Sequence, residues 1–186
     1  MDDVVSVTIE KLPGDGVAAE VEALGALLHA CVMAGASVGF VAPFTVTEAE
    51  EFWRTVIAPR AAAGAATVFV ARAGGALVGT VQLGTGTPAN QPHRADVAKL
   101  LVHPQHRRRG IARALMAALE AEAAARRRTL LTLDTRTDDV AEPLYTSLGY
   151  ATVGVIPGYC LDPFTGALDG TTIMYKTLPV PQQPTL

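Results

Sequence analysis

Leu100-Leu101-Val102-His103-Pro104-Gln105-His106-Arg107-Arg108-Arg109-Gly110-Ile111-Ala112-Arg113-Ala114-Leu115-Met116 is the stretch whose reading decides the fold. An apolar strand runs into a basic turn centred on Gly110, and the turn opens directly into a helix. Such a join presents backbone N–H groups and the positive end of a helix to an anion. It predicts a phosphate-bearing ligand whose tail lies back along the strand. A dinucleotide fingerprint is disfavoured because only one glycine is present, and a phosphate loop of the Gly-Lys-Ser/Thr type is absent.

Outward from this stretch, Ile111, Leu115 and Leu119 recur four apart with Ala112, Met116 and Ala123 beside them, predicting a helix over Ile111 to Arg128. Asp96 to Val102 before it and Thr129 to Leu133 after it read as strands. Strand, helix and strand at this spacing imply a parallel pair. Upstream, Val4 to Leu12 reads as a strand and Val17 to Met33 as a helix, followed by the loop Ala34 to Thr45. Thr47 with Glu50 reads as a capping box opening a second helix through Ala63. Thr67 to Arg72 and Ala76 to Leu83 are strands around Gly74-Gly75, a tight-hairpin signal. Downstream, Asp138 to Leu148 reads as a helix stopped by Gly149. Two strands, Tyr150 to Ile156 and Thr171 to Leu178, flank a loop rich in Gly and Pro. One domain is expected over residues 1–178, with a frayed Pro-rich tail over 179–186.

Composition narrows the partners. The chain has 186 residues, is 49% hydrophobic and carries a net charge of -3, so no global basic field for nucleic acid is present. The basic residues cluster instead at His106 to Arg113 and at Arg126 to Arg128, which points to a discrete anionic ligand. Ala23 to Thr47 lacks Asp, Glu, Lys and Arg. Leu24, Leu27, Leu28, Cys31 and Val32 there keep one-face helical spacing until Gly35, Gly39 and Pro43 interrupt, so an amphipathic helix and an ordered loop fit better than a membrane span. Cys31 and Cys160 have no ligand-spaced partners, so no metal site, no disulfide framework and a cytoplasmic location are expected. His29, His93, His103 and His106 form no cluster in sequence.

At Arg107-xx-Gly110-x-Ala112 the chain resembles the GNAT superfamily of N-acetyltransferases, whose signature is Gln/Arg-xx-Gly-x-Gly/Ala. Leu144-Tyr145-xxx-Gly149-Tyr150 is similar to a second element of that family. The resemblance covers most of Val68 to Leu178. It implies a mixed α/β fold: a central, mostly antiparallel sheet with one splayed parallel strand pair and helices on both faces. It also implies acetyl-CoA as co-substrate. In this reading the pyrophosphate lies over Arg107, Arg108, Arg109, Gly110, Ile111, Ala112 and Arg113, and the pantetheine arm pairs with the backbone of Leu100, Leu101 and Val102. The Val102 N–H is the expected oxyanion donor. Tyr145 takes the position of the general acid that protonates the departing thiolate, and contacts the cofactor there. Asp138 stands where many relatives have an Asn contacting the cofactor arm; a carboxylate accepts but cannot donate as an amide does, which puts that contact in doubt.

Asp96 matches a position where several family members carry a catalytic Glu, and period-two alternation puts it on the face of Leu100 and Val102. Asp134 ends the neighbouring strand, so the two carboxylates are expected to face one acceptor. A carboxylate of pKa about 3.9 is a poor direct base for an ammonium. A water relay, or one charge raising the other's pKa, is then required. Further segments, among them Gly35 to Phe40, Arg94 to Val97, Leu133 to Thr135 and Gly158 to Cys160, look like the tabtoxin-resistance branch of the family. That resemblance implies a small, polar, amine-bearing acceptor related to an amino acid. A peptide or protein N-acetyltransferase and a non-catalytic CoA-binding sensor are the rival readings, and a homodimer is a family expectation.

Overall fold

The computed structural model describes residues 6–179; the expected strand start at Val4 and the tail beyond Pro179 lie outside them. The element order is β1 (Val7–Lys11), α1 (Gly16–Ala19), α2 (Val21–Met33), α3 (Val46–Phe52), a π-helical turn (Trp53–Ile57), α4 (Ala58–Ala62), β2 (Ala66–Ala73), β3 (Ala76–Gly84), β4 (Arg94–Val102), a 3-10 turn (Pro104–His106), α5 (Ile111–Ala125), β5 (Leu130–Arg136), α6 (Glu142–Ser147), β6 (Ala151–Leu161) and β7 (Leu168–Thr177). The strands form one 7-stranded sheet in the order β1-β2-β3-β4-β5-β7-β6. All neighbours are antiparallel except β4 and β5. The mixed architecture expected from the sequence is therefore the one observed.

Strand alternation splits the interior into two cores. Phe69, Ala71, Val81, Leu83, Ala95, Val97, Leu131 and Leu133 pack with Ile111, Leu115, Met116 and Leu119 of α5, and Tyr145 and Tyr150 join them. On the other face Val68, Val70 and Leu101 pack with Leu24, Leu27, Leu28 and Val32 of α2 and with Trp53 and Ile57. β2 is thus buried on both faces, which is why it reads as a near-continuous apolar run. Gly74 and Gly75 both have positive φ, the backbone a two-residue hairpin between twisted strands requires.

Several boundaries differ from the sequence reading for local reasons. The first helix breaks at Glu20, whose φ and ψ leave the helical region. The second is capped two residues earlier than expected: Thr45 accepts from the Glu48 N–H at 3.2 Å, and the Thr45 N–H donates to the Glu48 carboxylate at 2.8 Å. Phe44 and Ala49, flanking this cap, are buried in the same core, which fixes the register as a hydrophobic staple does. Pro59 cannot donate to the carbonyl four residues back, and the helix widens there into the π-turn. α5 ends at Ala125, before Arg127 turns to φ +55. Asp138, at φ +61, is outside the helical region, and α6 starts later than expected, at Glu142. The Gly/Pro loop expected after Ile156 is mostly strand, because β6 continues across a register shift between Ile156 and Cys160.

The corrected cap is testable. Thr45→Ala removes an N-cap and lowers unfolding free energy by about 1 kcal/mol. Thr47→Ala, inside the first turn, changes it by a few tenths at most. Urea unfolding midpoints separate the two.

Candidate active site

β4 and β5 pair over only three residues, Arg94↔Leu130, Ala95↔Leu131 and Asp96↔Thr132. Beyond them β4 stays with β3 (Thr80↔Leu101, Gly79↔Val102) and β5 stays with β7 (Asp134↔Ile173, Arg136↔Thr171), so each strand keeps one neighbour and loses the other. A cleft of about 930 Å³ opens between them. Its walls include Leu100, Leu101 and Val102 on one side and Asp134, Thr135 and Arg136 on the other, with Ile111 and Ala112 at one end and Gly35 to Val38 above.

A bulge aims the β4 wall. Between Gln82↔Ala98 and Thr80↔Leu101, β4 spends one more residue than β3, and Lys99 takes φ +52. A bulge bends a strand and shifts its alternation by one. Ala95 and Val97 face the α5 core, and so do Leu100 and Val102. Asp96 consequently points to the opposite face, which corrects the expectation that it shares a face with Leu100 and Val102. Past the bulge the His103 N–H donates to the Val78 carbonyl at 2.8 Å. N–H directions alternate along a ladder, so the N–H of Val102 points away from β3 toward the gap. The Val102 carbonyl accepts from Arg107 Nε at 3.3 Å and from the Cys31 thiol at 3.5 Å. Burial pushes the Cys31 thiol up to about 11 against the pull of Arg107, so it stays protonated.

The basic turn forms one end of the cleft. Arg108 and Gly110 have φ +64 and +77, and Gly110 is the left-handed residue from which α5 starts. The first intrahelical bond runs from the Ala114 N–H to the Gly110 carbonyl at 3.0 Å. The N–H groups of Ile111, Ala112 and Arg113 precede it and have no intrahelical acceptor. Arg107, Arg108, Gly110, Ile111, Ala112 and Arg113 line the cleft, whereas Arg109 does not. Arg113 also donates to the Ser147 hydroxyl at 2.8 Å, joining α5 to α6. His106 lines the cleft with a buried Nδ1 that has no partner among the described residues. Burial, with the Arg109 and His103 charges, holds its pKa down.

The other end gathers charge. Tyr145, on α6, is 6% exposed and stacks edge-on against Tyr150 with ring centroids 5.7 Å apart. Burial first, then the carboxylates of Asp134 and Asp139, raise its pKa above the ordinary phenol value. Asp134 and Tyr145 therefore share the cleft. Asp96 does not line it: its carboxylate pairs with Arg94 and accepts from the Thr132 hydroxyl at 2.6 Å. Asp138 is also outside, exposed, while Asp139 lines the wall and pairs with Arg136 at 3.3 Å. Arg136 also faces Asp162 at 3.4 Å and Asp169 at 3.6 Å.

Lys99, Arg136 and Asp139 are cleft residues that sequence reasoning missed. Lys99 donates from Nζ to the Val38 carbonyl at 2.8 Å and sits over the Phe40 and Phe52 rings. Burial lowers its pKa and the nearby Asp134 opposes that shift. The signal for it was present: Lys99-Leu100-Leu101 breaks the alternation of the strand. Loop 34–44, which Lys99 holds, is also tied to the β6–β7 hairpin. The Ala42 N–H donates to the Pro163 carbonyl at 2.7 Å, and Ser37 Oγ lies 3.6 Å from Cys160 Sγ.

The sequence profile of the acetyltransferase (GNAT) family matches residues 38–150. Among solved structures, the chain is similar to YncA of Salmonella typhimurium, a provisionally assigned acetyltransferase solved with its cofactor acetyl-CoA. That alignment has 19% identity, a TM-score of 0.76, and covers 97% of this chain and 98% of that one. It is similar to ribosomal-protein-alanine N-acetyltransferase from Brucella melitensis, with 22% identity, a TM-score of 0.71, and 92% and 99% covered. A provisionally assigned phosphinothricin N-acetyltransferase matches at 18% identity and a TM-score of 0.73, with 94% and 99% covered. At these identities the likenesses establish the fold.

The raised phenol has a direct readout. Tyr145 stays protonated at the pH where an ordinary tyrosine, of pKa about 10, ionises. The 295 nm absorbance step near that pH is therefore expected to be the same in the wild type and in Tyr145→Phe. A smaller step in the variant would show that Tyr145 titrates normally.

Proposed function

Because the chain belongs to the acetyltransferase (GNAT) family, we propose that it moves an acetyl group from acetyl-CoA to the primary amine of a small molecule, within a ternary complex. The observation that carries this reading is the loss of β4–β5 pairing after Asp96↔Thr132, which leaves a strand edge facing a cleft between a basic helix start and an acidic end. The residues present fit the cofactor. The first-turn N–H groups of α5 and the guanidinium groups of Arg107, Arg108 and Arg113 would hold a pyrophosphate. The free edge of Leu100 to Val102 would take the pantetheine arm as an added strand. When bound, acetyl-CoA supplies a thioester as acyl donor.

The chain's own groups supply the rest. The Val102 N–H, directed into the gap, suits charge developing on the acyl oxygen. Tyr145, a neutral phenol in the cleft, would be the proton donor to the leaving thiolate; burial and the carboxylates of Asp134 and Asp139 keep it protonated and make it a weaker acid than an ordinary phenol. Asp134, in the cleft, would attract the acceptor ammonium and pass its proton to water. Asp96 acts at one remove, through its bonds to Arg94 and Thr132 at the last paired residues before the strands part. A small acceptor is favoured because loop 34–44 is tied to the β6–β7 hairpin beside the acidic end. A peptide would need an open groove there. An amino-acid-like β-lactam toxin is the finer expectation within this class.

Release of free thiol from acetyl-CoA, with a panel of small amines, amino acids, the toxin, polyamines and peptides, tests the proposal. Acceleration by a small amine supports it. Acceleration by peptide N-termini alone overturns the acceptor class, and tight acetyl-CoA binding with no turnover favours a sensor. With the active acceptor, Tyr145→Phe lowers kcat by about 10²- to 10⁴-fold and leaves the Kd for acetyl-CoA nearly unchanged. Arg113→Ala weakens that Kd by about tenfold, the loss of roughly one charge-assisted hydrogen bond.

A further inference from the structure

The chain has three lysines, and two of them are neutralised by neighbours. Lys11 pairs with Glu122 at 3.0 Å and Lys176 with Glu120 at 2.6 Å. Lys99 has no carboxylate at ion-pair distance among the described residues, although it is half-buried and lines the cleft. Its backbone lies in the left-handed region, at φ +52, where a side chain with a Cβ is strained. Strained residues of this kind collect at functional clefts. The other cations of the cleft stand elsewhere or are taken. Arg107, Arg108 and Arg113 gather where α5 begins, and Arg136 faces Asp139, Asp162 and Asp169. Lys99 is also restrained. One of its three ammonium N–H groups donates to the Val38 carbonyl at 2.8 Å, and the charge lies 5.8 and 5.5 Å from the Phe40 and Phe52 ring centres. The rings favour the charged form. So does Asp134, which acts on Lys99 without pairing with it. A cation and an anion are thus held apart in one cleft, with two ammonium hydrogens left over.

We propose that Lys99 is the specificity-determining residue of the acceptor site, and that it takes the carboxylate of an α-amino acid whose ammonium faces Asp134. The assignment rests on acetyl transfer in this cleft, as proposed above. An α-amino acid carries its two charges on either side of one carbon, opposite in sign, as the cleft does. The match is charge-assisted at both ends. A simple monoamine leaves the Lys99 ammonium without an anion. A polyamine or an aminoglycoside brings a second cation toward it, which costs like-charge repulsion. A peptide N-terminus lacks a carboxylate beside its amine. The phosphates of the cofactor, held where α5 begins, leave Lys99 to the acceptor.

Two readouts on the full chain test this, each comparing L-α-amino acids with their α-amides. Acetyl transfer gives kcat/KM, and calorimetric titration of the CoA-bound protein gives Kd without turnover. The wild type is expected to favour its best acid over the matching amide by about 10- to 100-fold, the worth of one charge-assisted hydrogen bond. Lys99→Met, uncharged and similar in length, should abolish that preference, through KM more than through kcat. A wild type that takes acid and amide alike overturns the proposal, and that measurement needs no variant. So does a Lys99→Met protein that loses acids and amides equally, since Lys99 then only anchors loop 34–44. Acid-selective binding that depends on Lys99, without acetyl transfer, defeats the transferase reading and leaves this assignment standing. Acetyl transfer without acid selectivity does the reverse, and binding of neither acids nor amides overturns the assignment.

Discussion

Everything in this molecule turns on β4 having two neighbours for three residue pairs and one thereafter. Backbone N–H and C=O groups removed from water need partners, so a strand that loses a neighbour inside a sheet creates a demand. Part of it is met internally, by Arg107 and Cys31 on the Val102 carbonyl. The remainder faces the cleft, and a ligand with amide groups along its length can meet it. The bulge at Lys99 bends the strand and shifts its alternation where the gap opens, so Leu100 and Val102 still pack on the α5 core while Leu101 packs on the other.

Charge is sorted around this gap despite a small net charge. Arginines gather where α5 begins, and carboxylates gather where β5 ends. Tyr145 stands near the second group, buried, and both burial and the carboxylates disfavour its ionised form. Lys99 is the counterweight, a cation held over two aromatic rings near Asp134. Arg136 takes up Asp139, Asp162 and Asp169, which leaves Asp134 as the cleft carboxylate it does not pair. The fold thus gathers arginines and carboxylates at different places along one cleft.

How much of this was legible in the sequence depends on range. The basic turn, α5 and the β2–β3 hairpin were read correctly because their signals are local: four-residue periodicity, paired glycines, a glycine at a helix start. Of the residues expected at the candidate site, Arg107, Arg108, Gly110, Ile111, Ala112 and Arg113, marked by the same local signals, and Tyr145, marked by the resemblance, line the cleft, while Arg109 does not. The site was misread at Asp96, because period-two alternation holds only until a bulge intervenes, and Lys99-Leu100-Leu101 was the mark of one. The capping box was placed two residues late for a related reason: two Thr-x-x-Glu frames overlap, and burial of Phe44 and Ala49 chooses between them.

The sequence by itself determined the main elements, their order, the basic helix start and the family, since each is encoded in residues close together along the chain. Only the tertiary structure decided that β4 and β5 part after Asp96, that Asp134 and Tyr145 share one cleft with Lys99 and Arg136 while Asp96 and Asp138 stay outside it, and that β6 is left bare at the edge. These depend on which strands find partners and where pairing stops. Pairing is settled by competition among segments distant in sequence for the same hydrogen bonds and the same apolar faces, and no local pattern records its outcome.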